Sequence, residues 1–286
     1  MMLRTLVLLI VVSMALAACN TQTQKNEEPM NPFLTEYNTP FDVPPFGEIK
    51  NEHFLPAIRA AIDAQKAEID AIVKSEKPAT FENTVEALDA SGMMLRNVTN
   101  VFYNLQSAHT SDELQKIAKE ASPLLSAHQD DILLNQQLFD RIAGVYEQKD
   151  QLDLTTEQAT LLEKTYKRFS RNGAALSDAE KDKLREINKE LSLLSLQFDE
   201  NLLAETNEYK LVIEDEKDLA GLPESVISAA AEAAAAAGHE GKWVFTLHKP
   251  SFIPFLQYAE NRALREQIFK AYINRGNNNN DHDNKK

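Results

Sequence analysis

Six histidines are the residues of this 286-residue chain best suited to bind a metal or move a proton: His53, His109, His128, His239, His248 and His282. Two histidines four residues apart share one face of a helix, and with a glutamate between them they form the zinc site and general base of a metalloprotease. No two of these histidines are four residues apart. The sequence therefore contains no His-Glu-x-x-His motif and offers no zinc site of that kind.

Smaller groups of reactive side chains have simpler structural explanations. Ser107 and His109 lack the acid that would orient a catalytic histidine. His128 is followed by two aspartates at 130–131, and this spacing fits a partly buried histidine on a helix better than a metal site. The run at 281–283 fits a polar tail better than a cation site. We therefore assign no catalytic residue and no metal ligand.

The chain begins with the pattern of a bacterial lipoprotein signal peptide. Arg4 supplies a short positive region, and residues 6–16 form an apolar run that is too short to span a bilayer as a helix. Small residues then lead to Cys19, the only cysteine of the chain. The pattern predicts a signal peptide over residues 1–18 and lipid attachment at Cys19. The alternative is an ordinary signal peptide with a chance cysteine at the cleavage point.

The predicted lipid anchor indicates where the protein is located. Acyl chains on Cys19 would hold the protein at a membrane, and the polar residues 19–30 are expected to form a flexible tether. The expected location is the bacterial cell envelope, with the folded part facing the periplasm. Asn20, in place of an aspartate, favours the outer membrane over the inner one.

The composition limits the kinds of partner. The formal net charge is −14, and hydrophobic residues make up 43% of the chain. An acidic surface argues against nucleic-acid binding, which requires a basic face. The apolar content is ample for a folded core, so we expect a soluble domain on the tether.

Apolar residues recur at helical spacing through most of residues 31–276, which predicts a mainly α fold. Thr80 and Asn83 occupy the N-cap and N3 positions of one predicted helix, and Ser177 and Glu180 form a capping box at the start of another. The apolar stripe of that second helix is expected to lie in an ordinary helix-bundle core; it comprises Leu184, Ile187, Leu191, Leu194, Phe198 and Leu202.

Non-helical segments are predicted at both ends and within the C-terminal third. Residues 209–213 and 242–247 alternate in the manner of strands and are expected to pair as an antiparallel ribbon, with an alanine-rich helix over 225–238 between them. Residues 277–286 are expected to be a disordered, truncated end. A proline-rich arm near the N-terminus is expected to pack three aromatic rings onto the body: Phe33, Phe41 and Phe46.

Several segments resemble the thimet oligopeptidase-like zinc metallopeptidases, in particular the peptidyl-dipeptidase branch of that family. They are FGEIKNEHFLPAI (46–58), PATFENT (78–84), VFYNLQSAHTS (101–111), LLEKTYKRF (161–169), GKWVFTL (241–247) and YINRG (272–276). The resemblance runs from about residue 31 to the end of the chain. None of these segments is itself catalytic.

The resemblance implies a mainly helical, clam-shaped oligopeptidase with a deep channel, of which this chain is similar to the N-terminal half, with a small two-stranded β element. In the family, the catalytic half binds Zn²⁺ through His-Glu-x-x-His and a later glutamate, and zinc-bound water attacks the peptide bond. Because this chain lacks the motif, no catalytic or metal residue is carried over to it. The implied partners are short peptide substrates and the missing C-terminal catalytic half.

Three hypotheses follow from the sequence. In the first, the chain is the channel-forming part of a zinc peptidyl-dipeptidase that releases C-terminal dipeptides, and it is inactive alone. In the second, it is a non-catalytic helical lipoprotein that binds peptides or a partner protein. In the third, it is a decayed or truncated product without a present role.

Overall fold

The computed structural model describes residues 30–285. The predicted signal peptide, Cys19 and nearly all of the predicted tether lie outside the described residues. The chain divides into two compact units: the first contains residues 30–70 and 90–114, and the second contains residues 71–89 and 115–285. Over the described residues, none of the helices has the length and apolar content that a membrane span requires.

The secondary structure is mainly helical with one small β element, so the predicted fold class is confirmed. The helices are, in chain order, α1 (Phe54–Val73), α2 (Ala87–Ala90), α3 (Met93–Ala108), α4 (Asp112–Leu133), α5 (Gln136–Glu147), α6 (Thr156–Arg171), α7 (Asp178–Glu208), α8 (Glu224–Ala236), α9 (Lys249–Tyr258) and α10 (Arg262–Ile273). The strands are β1 (Leu211–Ile213) and β2 (Trp243–Phe245), and a π-helical segment, Phe81–Glu86, precedes α2.

Aromatic contacts organise the first unit. The ring of Phe54, at the start of α1, lies 5.2 Å from that of Phe33 and 5.1 Å from that of Phe102 on α3, centroid to centroid. The predicted arm packs through Phe33 alone, because Phe41 is 98% exposed and Phe46 is 54% exposed. The prediction for these two rings was wrong. Phe41 has a φ of 60°, within a single 3-10 turn, and this left-handed backbone leaves its ring in solvent.

His53 has a structural role in the first unit. Its side chain is buried, and its Nδ1 atom accepts the backbone N–H of Lys50 at 3.1 Å. Its carbonyl oxygen accepts the side-chain amide of Asn31 at 2.8 Å, and Asn31 Oδ1 in turn accepts the N–H of Phe33. These hydrogen bonds hold the N-terminal turn against the start of α1.

The predicted cap at Thr80 and Asn83 is confirmed in the second unit. Thr80 N–H donates to Asn83 Oδ1 at 2.9 Å, and Asn83 N–H donates back to the Thr80 hydroxyl at 3.3 Å. Arg141 of α5 donates to the same Asn83 oxygen at 3.1 Å and to the carbonyls of Ser75 and Lys77. The guanidinium thus joins α5 to the connection that precedes the π-helical segment.

The predicted β ribbon is confirmed. β1 and β2 pair antiparallel, with Leu211 opposite Phe245 and Ile213 opposite Trp243. The alanine-rich helix α8 lies between them in sequence, as expected, and contributes Ala230 to the core beneath the ribbon. That core is completed by side chains from α9, α10 and the connection between them, among them Phe252, Phe255, Ala259 and Ile268.

The chain after α10 packs on the C-terminal part of α7. The buried Glu205 carboxylate accepts the N–H of Gly276 at 2.6 Å, and Asn201 donates its side-chain amide to Asn284 at 2.7 Å. The sequence alone predicts disorder in this region. In the structure, residues 277–285 form turns, because asparagine side chains find acceptors on α7.

The stripe of α7 differs from its prediction. α7 begins at Asp178 as expected, and the Glu180 carboxylate accepts the N–H and hydroxyl of Ser177. The four central stripe residues, however, are between 49% and 57% exposed: Ile187, Leu191, Leu194 and Phe198. The prediction that this stripe lies in a bundle core was wrong for these four positions, and we call them the α7 stripe below.

Candidate functional site

A groove of about 740 Å³ runs beside α7 in the second unit. Its walls are the C-terminal half of α4, the connection between α6 and α7, and one side of α7. Hydroxyl, amide and carboxyl groups lie next to leucines along it, including Ser126, Gln129, Asp130, Leu133, Asn188 and Leu191. The groove therefore offers both hydrogen-bonding groups and apolar surface.

Gly173 shapes the connection between α6 and α7. α6 ends at Arg171, so the predicted helix end at this glycine is confirmed. Gly173 has a φ of +95°, and a Cβ there would lie 2.8 Å from Leu184 Cδ2 and 2.9 Å from Leu176 Cδ1. A side chain at this position would face both backbone strain and a clash. Because position 173 is a glycine, the side chains of Leu176 and Leu184 can pack close to its backbone in the groove wall.

The polar part of the groove joins α4 to α7. Asn188 donates its side-chain amide to Asp130 Oδ1 at 2.7 Å, and Arg185 contacts Asp131 at 2.9 Å. Burial raises the pKa of the Asp130 carboxyl above its ordinary range; the Asn188 hydrogen bond and the Arg185 charge oppose this effect. Burial therefore makes the ionised carboxylate of Asp130 less favourable than it would be in water, and the Asn188 amide donates to it.

The histidines of the sequence do not converge on this groove. His128 is buried on α4 but is not among the lining residues. His109 follows the end of α3, where the nearby Ser107 hydroxyl donates to the Asn104 carbonyl and not to a histidine. His282 contacts Glu208 at 3.1 Å. No Ser-His pair of catalytic geometry arises from these contacts.

The residues present do not fit a zinc centre. Within residues 30–285, no three His, Cys, Asp or Glu side chains come together as a metal-binding group. Cys19, the predicted lipid-attachment site, lies outside the described residues. We therefore derive no metal-dependent step from this chain's own residues.

Comparison with known proteins identifies the family. The chain is 39% identical over 242 residues to the dipeptidyl carboxypeptidase of Escherichia coli (strain K12), a match that covers 85% of the chain and 36% of that protein. It is 33% identical over 233 residues to the oligopeptidase A of Haemophilus influenzae, covering 82% of the chain and 34% of the relative. The chain is an M3-family oligopeptidase homologue. An organellar oligopeptidase A of Arabidopsis thaliana is 32% identical over 251 residues, covering 86% of the chain and 31% of that protein.

The extent of these matches matters for function. This oligopeptidase homologue spans about a third of the length of the curated relatives that it matches. No protein-family model matches it. The resemblance seen in the sequence segments is thus confirmed as homology, and the mainly helical fold agrees with an N-terminal helical region of an oligopeptidase.

The groove of this oligopeptidase homologue is lined by both hydrogen-bonding and apolar side chains. Serine hydroxyls and the Gln129 amide can donate to and accept from the backbone of an extended peptide, and the leucines can contact its side chains. Sequence reasoning missed the groove because its central pair, Asp130 and Asn188, is 58 positions apart. Helical spacing reports neighbours on one helix and carries no signal for such a pair.

Proposed function

We propose that this chain forms the helical, peptide-confining part of a zinc-dependent peptidyl-dipeptidase, an enzyme that removes dipeptides from the C-termini of short peptides. The match to a dipeptidyl carboxypeptidase over 85% of the chain carries the proposal. In this proposal, the zinc ligands would come from polypeptide that this chain does not span. By itself, the chain binds peptides and does not hydrolyse them.

The lining of the groove supports peptide binding. An extended peptide presents alternating N–H and C=O groups, which need hydrogen-bond partners when they leave water. Ser126, Gln129 and Ser195 line the groove with groups that can donate and accept. Leu133 and Leu176 add apolar contact area at the same site. This combination suits unfolded peptides of mixed sequence.

A titration with a labelled peptide tests this use of the groove. A fluorescent N-acetylated pentapeptide is added to the purified chain, and its anisotropy reports binding. Ser195→Trp fills the groove and is expected to weaken binding by about tenfold, which corresponds to about 1.4 kcal/mol. Thr160→Trp, at an exposed position on α6 away from the groove, is the matched control. Equal affinity for the Ser195→Trp variant and the wild type would reject the groove as the peptide site.

We also propose that Cys19 is lipidated and anchors the protein to the cell envelope, with the folded part in the periplasm. The apolar run at 6–16 and the small residues before Cys19 support this proposal. Growth with an azide-tagged palmitate analogue should label the wild-type protein and leave Cys19→Ala unlabelled. Labelling of the Cys19→Ala variant, or a soluble wild-type protein without label, would refute the anchor.

A second candidate function is a non-catalytic protein that binds a partner. The exposure of the α7 stripe favours it, because four neighbouring apolar side chains in solvent are typical of an interaction surface. The two candidates differ in one outcome: hydrolysis of peptides once the missing catalytic region is supplied. Binding without hydrolysis under those conditions would favour the second.

A further inference from the structure

Helix α7 exposes an apolar stripe that a helix of an isolated domain would normally bury. Surface helices normally turn an apolar stripe to the core and polar residues to water. Here four residues of the apolar stripe are about half exposed, and hydrogen bonds and an ion pair join α7 to α4 and α5. Lys181 donates to Gln136 at 3.2 Å, Asn188 donates to Asp130 at 2.7 Å, and Lys119 contacts Glu200 at 2.9 Å.

The α7 stripe has the spacing of a helix-pairing seam. Ile187, Leu191, Leu194 and Phe198 are separated by four, three and four residues, the repeat by which one helix packs along another. The four residues extend over about 17 Å of helix at 1.5 Å per residue. Each is about half exposed, so the seam keeps much of its apolar surface for another contact.

The same seam is already in use at its C-terminal end. Continuing the repeat by three and four residues leads to Asn201 and Glu205, which are both buried. They are covered by the chain after α10: Asn284 accepts from Asn201 and also donates weakly to the Phe198 carbonyl at 3.4 Å, and Gly276 donates to Glu205. The seam therefore changes from polar and covered to apolar and uncovered between Asn201 and Phe198.

We propose that the α7 stripe is the docking surface for the polypeptide that the longer relatives possess and this chain does not span, and that an apolar helix of that polypeptide packs along it. The inference rests on the proposed function, since it names the surface by which the catalytic region is held. The relatives supply the occupant: about two thirds of their length has no counterpart in this chain. Continuity with the covered end of the seam supplies the position.

A second copy of this chain fits the stripe less well. The chain carries a net charge of −14, so two copies repel each other when they approach. The stripe covers only about three helical turns. The surface area that two such stripes could bury against each other is smaller than the roughly 1,200–2,000 Å² that stable interfaces typically bury. The occupant is therefore assigned to a different polypeptide with its own larger contact surface.

A binding experiment with a defined probe tests the proposal. The probe is the portion of the Escherichia coli dipeptidyl carboxypeptidase that this chain does not match, produced as a separate polypeptide. The full chain is expected to bind it, and the double variant Ile187→Gln/Leu194→Gln, at two stripe residues that do not line the groove, is expected to bind at least about tenfold more weakly. Ile253→Gln is the matched control, because Ile253 is an exposed apolar residue of α9 outside the stripe. It should bind like the wild type.

Three results would overturn the proposal. One is the absence of binding to the wild-type chain, and another is equal binding by the double variant. The third is a wild-type dimer that the double variant abolishes, measured by light scattering, which would assign the stripe to a second copy. Peptide hydrolysis is measured separately in the same mixture. Binding that depends on the stripe without hydrolysis would leave the docking surface intact and refute the proposed function.

A stability measurement keeps the test independent of the probe. Because the stripe is exposed, Ile187→Gln/Leu194→Gln should leave the thermal midpoint of the chain alone nearly unchanged, and should reduce the fluorescence of an apolar dye several-fold. A large drop in the midpoint for the double variant, with no drop for Ile253→Gln, would show that the stripe is packed within the folded chain. That result would also overturn the proposal.

Discussion

The Glu205 carboxylate accepts the backbone N–H of Gly276 at 2.6 Å, across 71 positions of the chain. Asn278 and Asn280 donate their side-chain amides to the same carboxylate. Burial raises the pKa of Glu205, but the hydrogen bonds from Asn278, Asn280 and Gly276 outweigh this effect and hold its pKa below the ordinary value of 4.5. One buried carboxylate thus orders the turns that follow α10.

Glu205→Gln should destabilise the chain. A glutamine has one acceptor oxygen, and its own N–H groups would face donors, so at least one buried donor loses its partner. We expect the free energy of unfolding in urea to fall by about 1–3 kcal/mol. Glu208→Gln is the control, because the Glu208 side chain is exposed and its carboxylate contacts His282. Equal effects of the two substitutions would contradict this role of Glu205.

The effect of Glu205 should depend on pH with a definite sign. Its folded pKa is lower than its unfolded pKa, so its stabilising contribution is complete above the unfolded value of 4.5 and is lost as the pH falls through the folded pKa. The difference in unfolding free energy between the wild type and Glu205→Gln should therefore shrink on acidification below that value. A difference that stays constant down to strongly acidic pH would be evidence against the network.

The contribution of Asp130 to stability should depend on pH with the opposite sign. Burial raises its pKa above 3.8, so the ionised carboxylate is less favourable in the folded chain than in the unfolded one. This cost is fully present above the folded pKa and disappears as the pH falls below the unfolded value. Asp130→Asn keeps an acceptor for Asn188 and removes the charge, so stability at neutral pH should be unchanged or raised. Marked destabilisation by Asp130→Asn at neutral pH would contradict the assignment.

Alanine substitutions at three glycines distinguish the cost of a left-handed backbone from the cost of a steric clash. Gly173→Ala should destabilise by more than about 2 kcal/mol, because it adds a clash with Leu176 and Leu184 to the cost of a left-handed backbone. Gly238→Ala has a φ of +75° but open space, so only the backbone cost of about 1–2 kcal/mol is expected. Gly144→Ala, inside α5 with open space, should stabilise by about 0.5–1 kcal/mol. Thermal unfolding of the three variants measures this order, and any other order would refute the geometry.

Arg141→Lys should lower the free energy of unfolding by weakening the hydrogen bonds that hold the first residues of the second unit. The guanidinium donates to the carbonyls of Ser75 and Lys77 and to Asn83, and a lysine ammonium cannot reproduce this planar set of donors. The expected loss is about 1–3 kcal/mol in urea unfolding. Arg168→Lys, at an exposed position of α6, is the matched control. Tolerance of Arg141→Lys to the same degree as the control would show that these hydrogen bonds contribute little.

Local signals in the sequence predicted the local structure. The caps at Thr80 and Ser177 depend on residues three positions away, and the ribbon depends on alternation within short segments. Gly173 ended α6 as expected because glycine adopts a left-handed backbone at lower cost than other residues. These features follow from the backbone chemistry of a few neighbouring residues, which a single sequence displays directly.

Long-range partners were beyond the reach of the sequence. The periodicity of α7 correctly indicated one apolar face, but it carries no information about what covers that face, and the structure leaves it in solvent. The contact of Asp130 with Asn188 and that of Glu205 with Gly276 join residues far apart in the chain. Polar residues in such pairs look like surface residues in the sequence, so the groove and the ordered end after α10 were missed.

Peptide hydrolysis in a mixture tests the central claim most directly. An N-blocked peptide with a free C-terminus is incubated with the chain, with the unmatched portion of the Escherichia coli dipeptidyl carboxypeptidase, or with both, and released dipeptide is quantified by mass spectrometry. We predict release only when both polypeptides are present, with loss on zinc chelation and recovery on zinc addition. Zinc-dependent release by the chain alone, or no release by a mixture in which the two polypeptides are bound, would contradict the account.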